Sequence, residues 1–212
     1  INIDDKKMSK SLGNFFTVRD VAKEYGYEPI RFLMISSHYR SPINYSRKII
    51  EQCIASLDRL YTCRNNLDFI LENASGETSN KEIRVKGILV RNKINFIKAM
   101  DDDLNTADAI AALFDLTRDI NSNINSQSSK ELVMYAANLF DELASILGLV
   151  YNREKESLDE EIEKLIEKRQ EARANRDFAT ADKIRDELKS RNIILEDTAQ
   201  GVKWHIAKSI KV

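Results

Sequence analysis

Glycine, proline and cysteine are scarce in this chain. Its 212 residues include only 6 glycines and 2 prolines, so few positions interrupt secondary structure, and abundant Leu, Ile, Ala, Glu and Lys favour helices over sheets. The 2 cysteines, Cys53 and Cys63, form no Cys-x-x-Cys pair, which indicates reduced thiols that bind no metal. No uncharged apolar run approaches about 18 residues, so the sequence predicts no membrane-spanning helix.

An excess of charge of one sign is also lacking. Hydrophobic residues make up 42% and charged residues 32% of the chain, and the formal net charge is -1. This balance disfavours disorder, a collagen-like fibre and a strongly basic nucleic-acid-binding tail. Residues 1–48 nevertheless carry nine Lys or Arg against five Asp or Glu, a local excess that predicts an anionic ligand at this end.

The beginning of the sequence gives two further expectations. Residues 1–7 lack the apolar core of a signal peptide, so we expect a cytoplasmic protein. The first residue is Ile, and the opening stretch is polar and charged like the middle of a loop. We therefore expect the sequence to be a fragment of a longer chain.

A loop over residues 1–16 is predicted to lead into two short helices. Thr17 is a suitable N-cap with Asp20 three residues later, and Gly26 ends this helix. Pro29 lies in the first turn of the next helix. The apolar face of that second helix is expected to hold Ile30, Leu33 and Met34.

Four segments after Ser46 have apolar residues at helical spacing, and together they predict a four-helix bundle. The expected inner positions are Ile50, Cys53, Leu57, Leu60, Leu67 and Leu71 in the first helix. They are Val90, Ile94 and Ile97 in the second, and Ile110, Leu113, Thr117, Ile120 and Ile124 in the third. In the fourth they are Leu132, Ala136, Leu139, Leu143 and Ile146, and Gly148 stops this helix.

The last part of the chain changes from a helical period to a period of two. Helices are predicted over about 158–174 and 178–190, the second with an inner stripe of Phe178, Ala181, Ile184 and Leu188. Residues 193–197 and 202–206 then predict a β-hairpin with Gly201 in its turn. The predicted fold is mainly α: a loop and helix segment at 1–45, a bundle at 46–150, and a small α+β domain at 151–212 ending in the hairpin.

The segment Lys-Met-Ser-Lys-Ser at residues 7–11, followed by Leu-Gly-Asn, is the richest in chemistry. It places two ammonium groups and two hydroxyls within five residues, beside a glycine that lets the backbone turn close to a ligand. Such a loop suits a polyphosphate. On composition alone, a solvated basic loop is the alternative.

The string Lys-Met-Ser-Lys-Ser resembles the signature loop of class I aminoacyl-tRNA synthetases without a substitution. The resemblance implies that Lys10 stabilises the ATP phosphates during amino-acid activation and that Lys7 is the first lysine of the motif. It implies that Met8, Ser9 and Ser11 complete the ATP-binding loop. Positive charge placed where pyrophosphate gathers negative charge is consistent with electrostatic catalysis.

The residues around the loop resemble cysteinyl-tRNA synthetases, and the resemblance covers essentially the whole chain. It is carried by residues 12–20, 31–34, 38–46, 100–106, 172–173, 181–188 and 195–197. The family implies ATP, Mg²⁺, cysteine and tRNA(Cys) as partners, and a monomer. Its His-Ile-Gly-His type motif and its Zn²⁺ site lie upstream of the matched segments, so no metal site is expected here and the fragment alone is expected to be inactive.

The same resemblance implies a DALR-type bundle that supports tRNA and an anticodon-reading C-terminal domain. The implied anticodon contacts are Arg173, Asp182, Arg185 and Asp197, with Trp204 as a stacking ring. Two structural alternatives stay open: Trp204 closes a small core, or Asp182 and Arg185 form an intrahelical ion pair. Arg19, Lys23, Arg31, Arg40, Arg47 and Lys48 either track phosphates or are solvated.

Other residues are assigned structural roles, and two other functions remain open. Asp101, Asp102 and Asp103 are placed at the start of a helix, where the dipole favours carboxylates, and His38 and His205 are assigned no catalytic role. One alternative function is a relative that ligates cysteine to a small amine, which residues 158–212 argue against. The other is a tRNA-binding module without catalysis, which the Lys7–Ser11 loop argues against.

Overall fold

The computed structural model describes residues 1–4, 6–9, 11, 17–74, 76–152, 160–191, 193–198 and 201–206. The chain forms two compact units, Ile1–Arg153 and Glu154–Val212. The described residues are mainly helical, as the sequence predicts, with short strands in each unit. No helix among them is long and apolar enough to cross a membrane.

The first unit begins with a small sheet and two short helices. Strands β1 (Asn2–Ile3), β2 (Lys6–Lys7) and β3 (Asn44–Tyr45) form the order β2-β1-β3, with β2 antiparallel and β3 parallel to β1. Helices α1 (Val18–Tyr25) and α2 (Tyr27–Ile35) follow the loop. The predicted cap at Thr17 is confirmed, because its hydroxyl accepts from the Asp20 N–H at 3.2 Å and its N–H donates to the Asp20 carboxylate at 3.0 Å.

The predicted four-helix bundle is confirmed. Its helices are α3 (Arg47–Asn73), α4 (Asn80–Asp101), α5 (Thr106–Asn123) and α6 (Lys130–Leu147). Side chains of all four helices meet in one apolar core, whose fully buried members include Ile50, Leu60, Leu67, Leu89, Phe96, Leu113, Leu116, Ile120, Leu132, Phe140 and Leu143. Each such side chain contributes about 1.5–3 kcal/mol when buried, so the bundle is the main source of stability in this unit.

The cysteines lie in this core and form no disulfide with each other. Cys53 and Cys63 are both buried in α3. Burial raises the pKa of the Cys53 thiol to about 11. It is therefore protonated and unreactive at neutral pH, as predicted for a packing residue.

The predicted inner face of α4 is wrong. Val90, Ile94 and Ile97 are exposed, at 39%, 46% and 45%, while Val85, Leu89, Phe96 and Ala99 face the core. The apolar pattern of the sequence does not indicate the true inner face, because this face contains two polar residues. Their hydrogen bonds are satisfied inside the bundle. The Glu82 carboxylate accepts from the Ser129 N–H at 2.7 Å and hydroxyl at 2.6 Å, and the Asn92 amide donates to Asp119 at 2.8 Å.

Three smaller corrections also concern which residues face the core and where helices begin. Met34 and Ile146 were expected inside but are exposed, because Phe32 and Leu147 take the buried positions on α2 and α6. Asp101 ends α4, and α5 begins only after its N-cap Asn105. The three aspartates therefore lie at the end of one helix and in the following turn, and not at the start of a helix.

The second unit contains two helices and the predicted hairpin. Helix α7 (Glu160–Ala174) and helix α8 (Phe178–Ser190) pack together, and strands β4 (Ile193–Thr198) and β5 (Gly201–Ile206) pair antiparallel. The turn residues 199–200 lie outside the described residues. A small core of Ile166, Ile184, Leu188 and Ile193 joins both helices to the hairpin.

Phe178 was predicted to face that core, and this is wrong, because its side chain is 61% exposed. The buried residues of α8 are Ala181, Ile184 and Leu188. At about 100° per residue, Phe178 lies roughly 90° from the middle of their stripe. It lies instead on the same side of the helix as Asp182 and Arg185, at spacings of four and seven residues.

Candidate functional site

The first candidate site is the signature loop, which begins on the edge strand of the small sheet. Lys6 and Lys7 form β2 and are exposed, and Ser9 and Ser11 place their hydroxyl oxygens 2.9 Å apart. Met8 is half-buried, and its N–H donates to the Ile1 carbonyl at 3.5 Å. Lys10 lies outside the described residues. The described part of the loop thus presents an ammonium group and two hydroxyls, a donor set that suits phosphate oxygens.

The base of this loop is fixed to the strand that leads into the bundle. The Asn2 N–H donates to the Ile43 carbonyl at 2.8 Å, and the Asp4 N–H donates to the Tyr45 carbonyl at 3.1 Å. Ser46 follows directly and caps α3, because its hydroxyl accepts from the Ile49 N–H at 3.2 Å. Because β3 leads directly into α3, the bundle fixes the position of β1 and, through β1, of β2, from which the loop departs.

A buried carboxylate joins α2 to the bundle. Glu28 is 6% exposed, and its two oxygens accept from the Tyr61 hydroxyl at 2.7 Å and the Val150 N–H at 2.6 Å. The Tyr61 oxygen in turn accepts from the Asn152 N–H at 3.0 Å. Burial, and then the hydrogen bond to Glu28, raise the pKa of Tyr61 far above its usual value. The network ties α2, α3 and the segment after α6 together.

Arg31 makes a second connection between α2 and the end of α6. Its guanidinium donates to the Leu147 carbonyl at 3.3 Å and lies over Gly148, where an added Cβ would come within 2.8 Å of it. Gly148 has a φ of 65°, the left-handed conformation that ends helices and favours glycine. The predicted helix stop at this residue is confirmed.

Two of the family-like segments meet on the surface of the first unit. The Tyr39 hydroxyl donates to Asp103 at 2.9 Å, and the Arg40 guanidinium pairs with the same carboxylate at 3.0 Å. The rings of His38 and Tyr39 stack with their centres 4.7 Å apart. This cluster joins the loop after α2 to the turn between α4 and α5, and no periodic signal in the sequence indicates it.

Three of the six basic residues considered as phosphate contacts are engaged within the protein. Arg31 and Arg40 make the contacts described above, and Arg47 pairs with Glu24 at 2.9 Å. The other three, Arg19, Lys23 and Lys48, are exposed. Exposed ion pairs of this kind are worth about 0–1 kcal/mol, so Arg40 and Arg47 can exchange their partners for phosphate at little cost.

The second candidate site is the exposed face of α8. Asp182 and Arg185 are both exposed, and the structure shows no ion pair between them although they are three residues apart. Both side chains are therefore directed to solvent and can meet a ligand. The exposed ring of Phe178 lies one turn before Asp182 and was missed by the sequence analysis. Asp177 caps the helix, because its carboxylate accepts from the Thr180 N–H at 3.1 Å.

The other predicted contact residues of the second unit have different environments. Arg173 is exposed near the end of α7. Asp197 lies on β4 in register with Val202 of β5. Trp204 pairs with Leu195 and is half-buried against the small core, which favours the structural alternative for its ring. Of these two aromatic side chains, Phe178 is the more exposed.

Three models of known protein families match successive parts of the chain. Residues 1–55 match the tRNA synthetases class I (C) catalytic domain, residues 95–152 match the DALR domain, and residues 155–204 match the cysteinyl-tRNA ligase anticodon binding domain. Together the three matches cover most of the chain and support its resemblance to the cysteinyl-tRNA synthetases. The resemblance seen in the sequence is confirmed. The DALR match covers the end of α4 with α5 and α6, and the anticodon-binding match covers α7, α8 and the hairpin as far as residue 204.

A solved structure has a similar fold. It is the ternary complex of Agrobacterium radiobacter K84 agnB2 LeuRS, tRNA and LeuAMS, which is 20% identical with a TM-score of 0.50. The similarity covers 71% of the present chain and 22% of the LeuRS chain. The present chain thus spans about a fifth of the length of that protein.

The described residues do not fit a zinc site. Among residues 1–152 and 160–206, apart from the gaps in the described ranges, no group of three His, Cys, Asp or Glu side chains is placed to hold a metal ion. The buried and protonated Cys53 is likewise unsuited to coordination.

Proposed function

We propose that this chain supplies the ATP-contacting loop and the tRNA-binding parts of a cytoplasmic, monomeric cysteine–tRNA ligase. The whole enzyme would join cysteine to AMP with release of pyrophosphate, and would then transfer cysteine to the terminal adenosine of tRNA(Cys). The observation that carries the proposal is the presence, in one chain, of a class I catalytic match and a cysteinyl-specific anticodon match. The anticodon match favours tRNA over a small amine as the acceptor.

The signature loop contributes positive charge to the first step. The cysteine carboxylate attacks the α-phosphorus of ATP, an oxygen–phosphorus bond forms, and the bond to the β-phosphate oxygen breaks. Lys10 is assigned to the phosphates of the leaving pyrophosphate, and Lys7 and the two serine hydroxyls to binding of the triphosphate. Mg²⁺ would come with the ATP phosphates and neutralise part of their charge.

The exposed face of α8 suits the recognition of unpaired bases. Arg185 can donate to base acceptors, the Asp182 carboxylate can accept from base amino groups, and the Phe178 ring offers a flat apolar surface. Base stacking on an aromatic ring is worth about 1–3 kcal/mol per base. Arg173 and Asp197 are assigned to base recognition by resemblance. Trp204 is assigned a structural role in the hairpin because of its position.

Binding of this chain to tRNA tests the proposal directly. Fluorescence anisotropy is measured with tRNA(Cys) and with an anticodon-substituted version, at about 50 and about 200 mM salt. A preference for the native anticodon that persists at the higher salt supports base reading by the second unit. Weak binding without preference, lost at the higher salt, contradicts an independent anticodon-reading role.

A further inference from the structure

The outward face of α4 carries an apolar stripe that the bundle does not cover. The stripe, here called the α4 seam, consists of Ile83, Gly87, Val90, Ile94 and Ile97. Ile83 is 66% exposed, and a Cβ at Gly87 would meet nothing within 4 Å. The residues alternate at spacings of four and three, which is the heptad pattern of a helix that packs along a second helix. The seam extends for about 21 Å at 1.5 Å per residue.

The two sides of the seam carry positive charge, but only one side is neutralised within the protein. On one side, Lys86 pairs with Glu131 at 2.6 Å and Lys93 pairs with Glu142 at 2.7 Å, both on α6. On the other side, the exposed residues Arg84, Arg91 and Lys98 repeat every seven residues, next to the seam. Among the described residues these three form no ion pair. Lys98 lines a depression together with Asp102, Asp108 and Asp115, so the uncompensated positive charge of this flank lies at Arg84 and Arg91.

We propose that the α4 seam is a docking surface for an amphipathic helix of a partner protein with acidic residues beside its apolar stripe. In paired helices, charges at the positions that flank the apolar seam select the partner. Arg84 and Arg91 therefore select glutamate or aspartate in the facing helix. A second copy of this chain would bring like charges together, which disfavours self-association. RNA would contact the arginines and leave the apolar residues exposed, which does not explain the seam.

A pair of synthetic helices tests the proposal. Each fluorescein-labelled peptide has about 21 residues in heptads with Ile and Leu at the apolar positions, and the flanking positions are all Glu in one and all Lys in the other. Anisotropy titrations with the full chain are expected to show at least about tenfold tighter binding of the acidic peptide. Ile94→Ser should weaken this binding by about tenfold or more, because it removes the middle of the seam. Asn95→Ser is the control, since Asn95 is exposed on α4 but lies outside the seam.

The charge on the flank is tested separately. The double variant Arg84→Glu, Arg91→Glu should reverse the preference and bind the basic peptide more tightly, with an unchanged helical circular dichroism spectrum. Equal affinity for both peptides, or insensitivity to Ile94→Ser, would overturn the proposal. It would also be overturned by dimerisation of the chain that Ile94→Ser abolishes, or by RNA that displaces the peptide and binds independently of Ile94.

Discussion

The Tyr61 hydroxyl donates a 2.7 Å hydrogen bond to the buried carboxylate of Glu28, across 33 positions of the chain. The same carboxylate accepts from the Val150 N–H, so one acidic side chain joins α2, α3 and the segment after α6. Residues 1–55 match the class I catalytic domain and residues 95–152 the DALR domain. The bond between Glu28 and Val150 therefore links the two matched regions, and it holds the helices after the signature loop on the bundle.

Tyr61→Phe should lower the free energy of unfolding by about 1–3 kcal/mol, because it leaves a buried carboxylate oxygen without one of its donors. Urea denaturation followed by circular dichroism measures this change. Tyr39→Phe is the matched control, since its hydroxyl also donates to a carboxylate but the residue is 58% exposed. Equal losses of stability in the two variants would contradict a special role for the buried pair.

The same tyrosine predicts how stability depends on alkaline pH. Its pKa is raised in the folded protein above the value of 10.0 for a free tyrosine, so the folded state holds its proton more tightly. The resulting stabilisation is complete below about pH 10 and is lost as the pH rises further. Between about pH 9 and about pH 11, the wild type should therefore lose more stability than Tyr61→Phe. Parallel curves for the two proteins would show that Tyr61 does not titrate in this way.

Two glycines on the bundle predict opposite effects of the same substitution. Gly148→Ala should destabilise by about 1–2 kcal/mol, because Gly148 has a φ of 65° and Arg31 occupies the space of the new methyl group. Gly87→Ala should stabilise by about 0.5–1 kcal/mol, because Gly87 lies within α4 with open space around it. Thermal unfolding of both variants decides the matter. A destabilised Gly87→Ala would contradict the open space around this residue.

Features that depend on neighbouring residues in sequence were predictable. The Thr17 cap, the stop at Gly148 and the four bundle helices all follow from local residue preferences and apolar spacing. The inner face of α4 was not predictable in this way, because Val90, Ile94 and Ile97 are as regular as the residues that are buried. Only the tertiary partners of Glu82 and Asn92 decide which face turns inward.

The candidate sites were predictable to the extent that they are contiguous motifs. The signature loop is one short contiguous string, so the sequence alone indicates it. The hydrogen bonds of Glu28 were not predicted. They join it to Tyr61, 33 positions later, and to Val150, 122 positions later, and no periodic pattern in the sequence indicates such contacts. Phe178 was assigned to the inner stripe of α8 by its helical spacing from Ala181, whereas the small core is filled by Ile166, Leu188 and Trp204.

Lys10→Ala in the full-length enzyme should slow adenylate formation by about a hundredfold or more, because it removes a positive charge at the leaving pyrophosphate. Binding of tRNA should change little, since the loop is not assigned to tRNA. Exchange of labelled pyrophosphate into ATP measures adenylate formation, and fluorescence anisotropy measures tRNA binding. Lys6→Ala is the control, because Lys6 is an exposed lysine that lies outside the signature string. An unchanged rate of pyrophosphate exchange in Lys10→Ala would contradict the assignment of Lys10 to the leaving pyrophosphate.

Phe178→Ala should weaken binding of tRNA(Cys) by about tenfold, which corresponds to the loss of one stacked base. The fold should remain intact, because the ring is 61% exposed and the core of the second unit lies on another side of α8. Arg185→Ala should instead lower the preference for the native anticodon, since it removes a hydrogen-bond donor on the same face. Lys183→Ala is the control, because Lys183 is exposed on α8 but lies about 100° from Asp182. The ratio of binding constants for tRNA(Cys) and its anticodon-substituted form is the quantity to compare. If Trp204→Phe weakens binding of tRNA(Cys) while Phe178→Ala leaves it unchanged, the stacking surface is on the hairpin and not on α8.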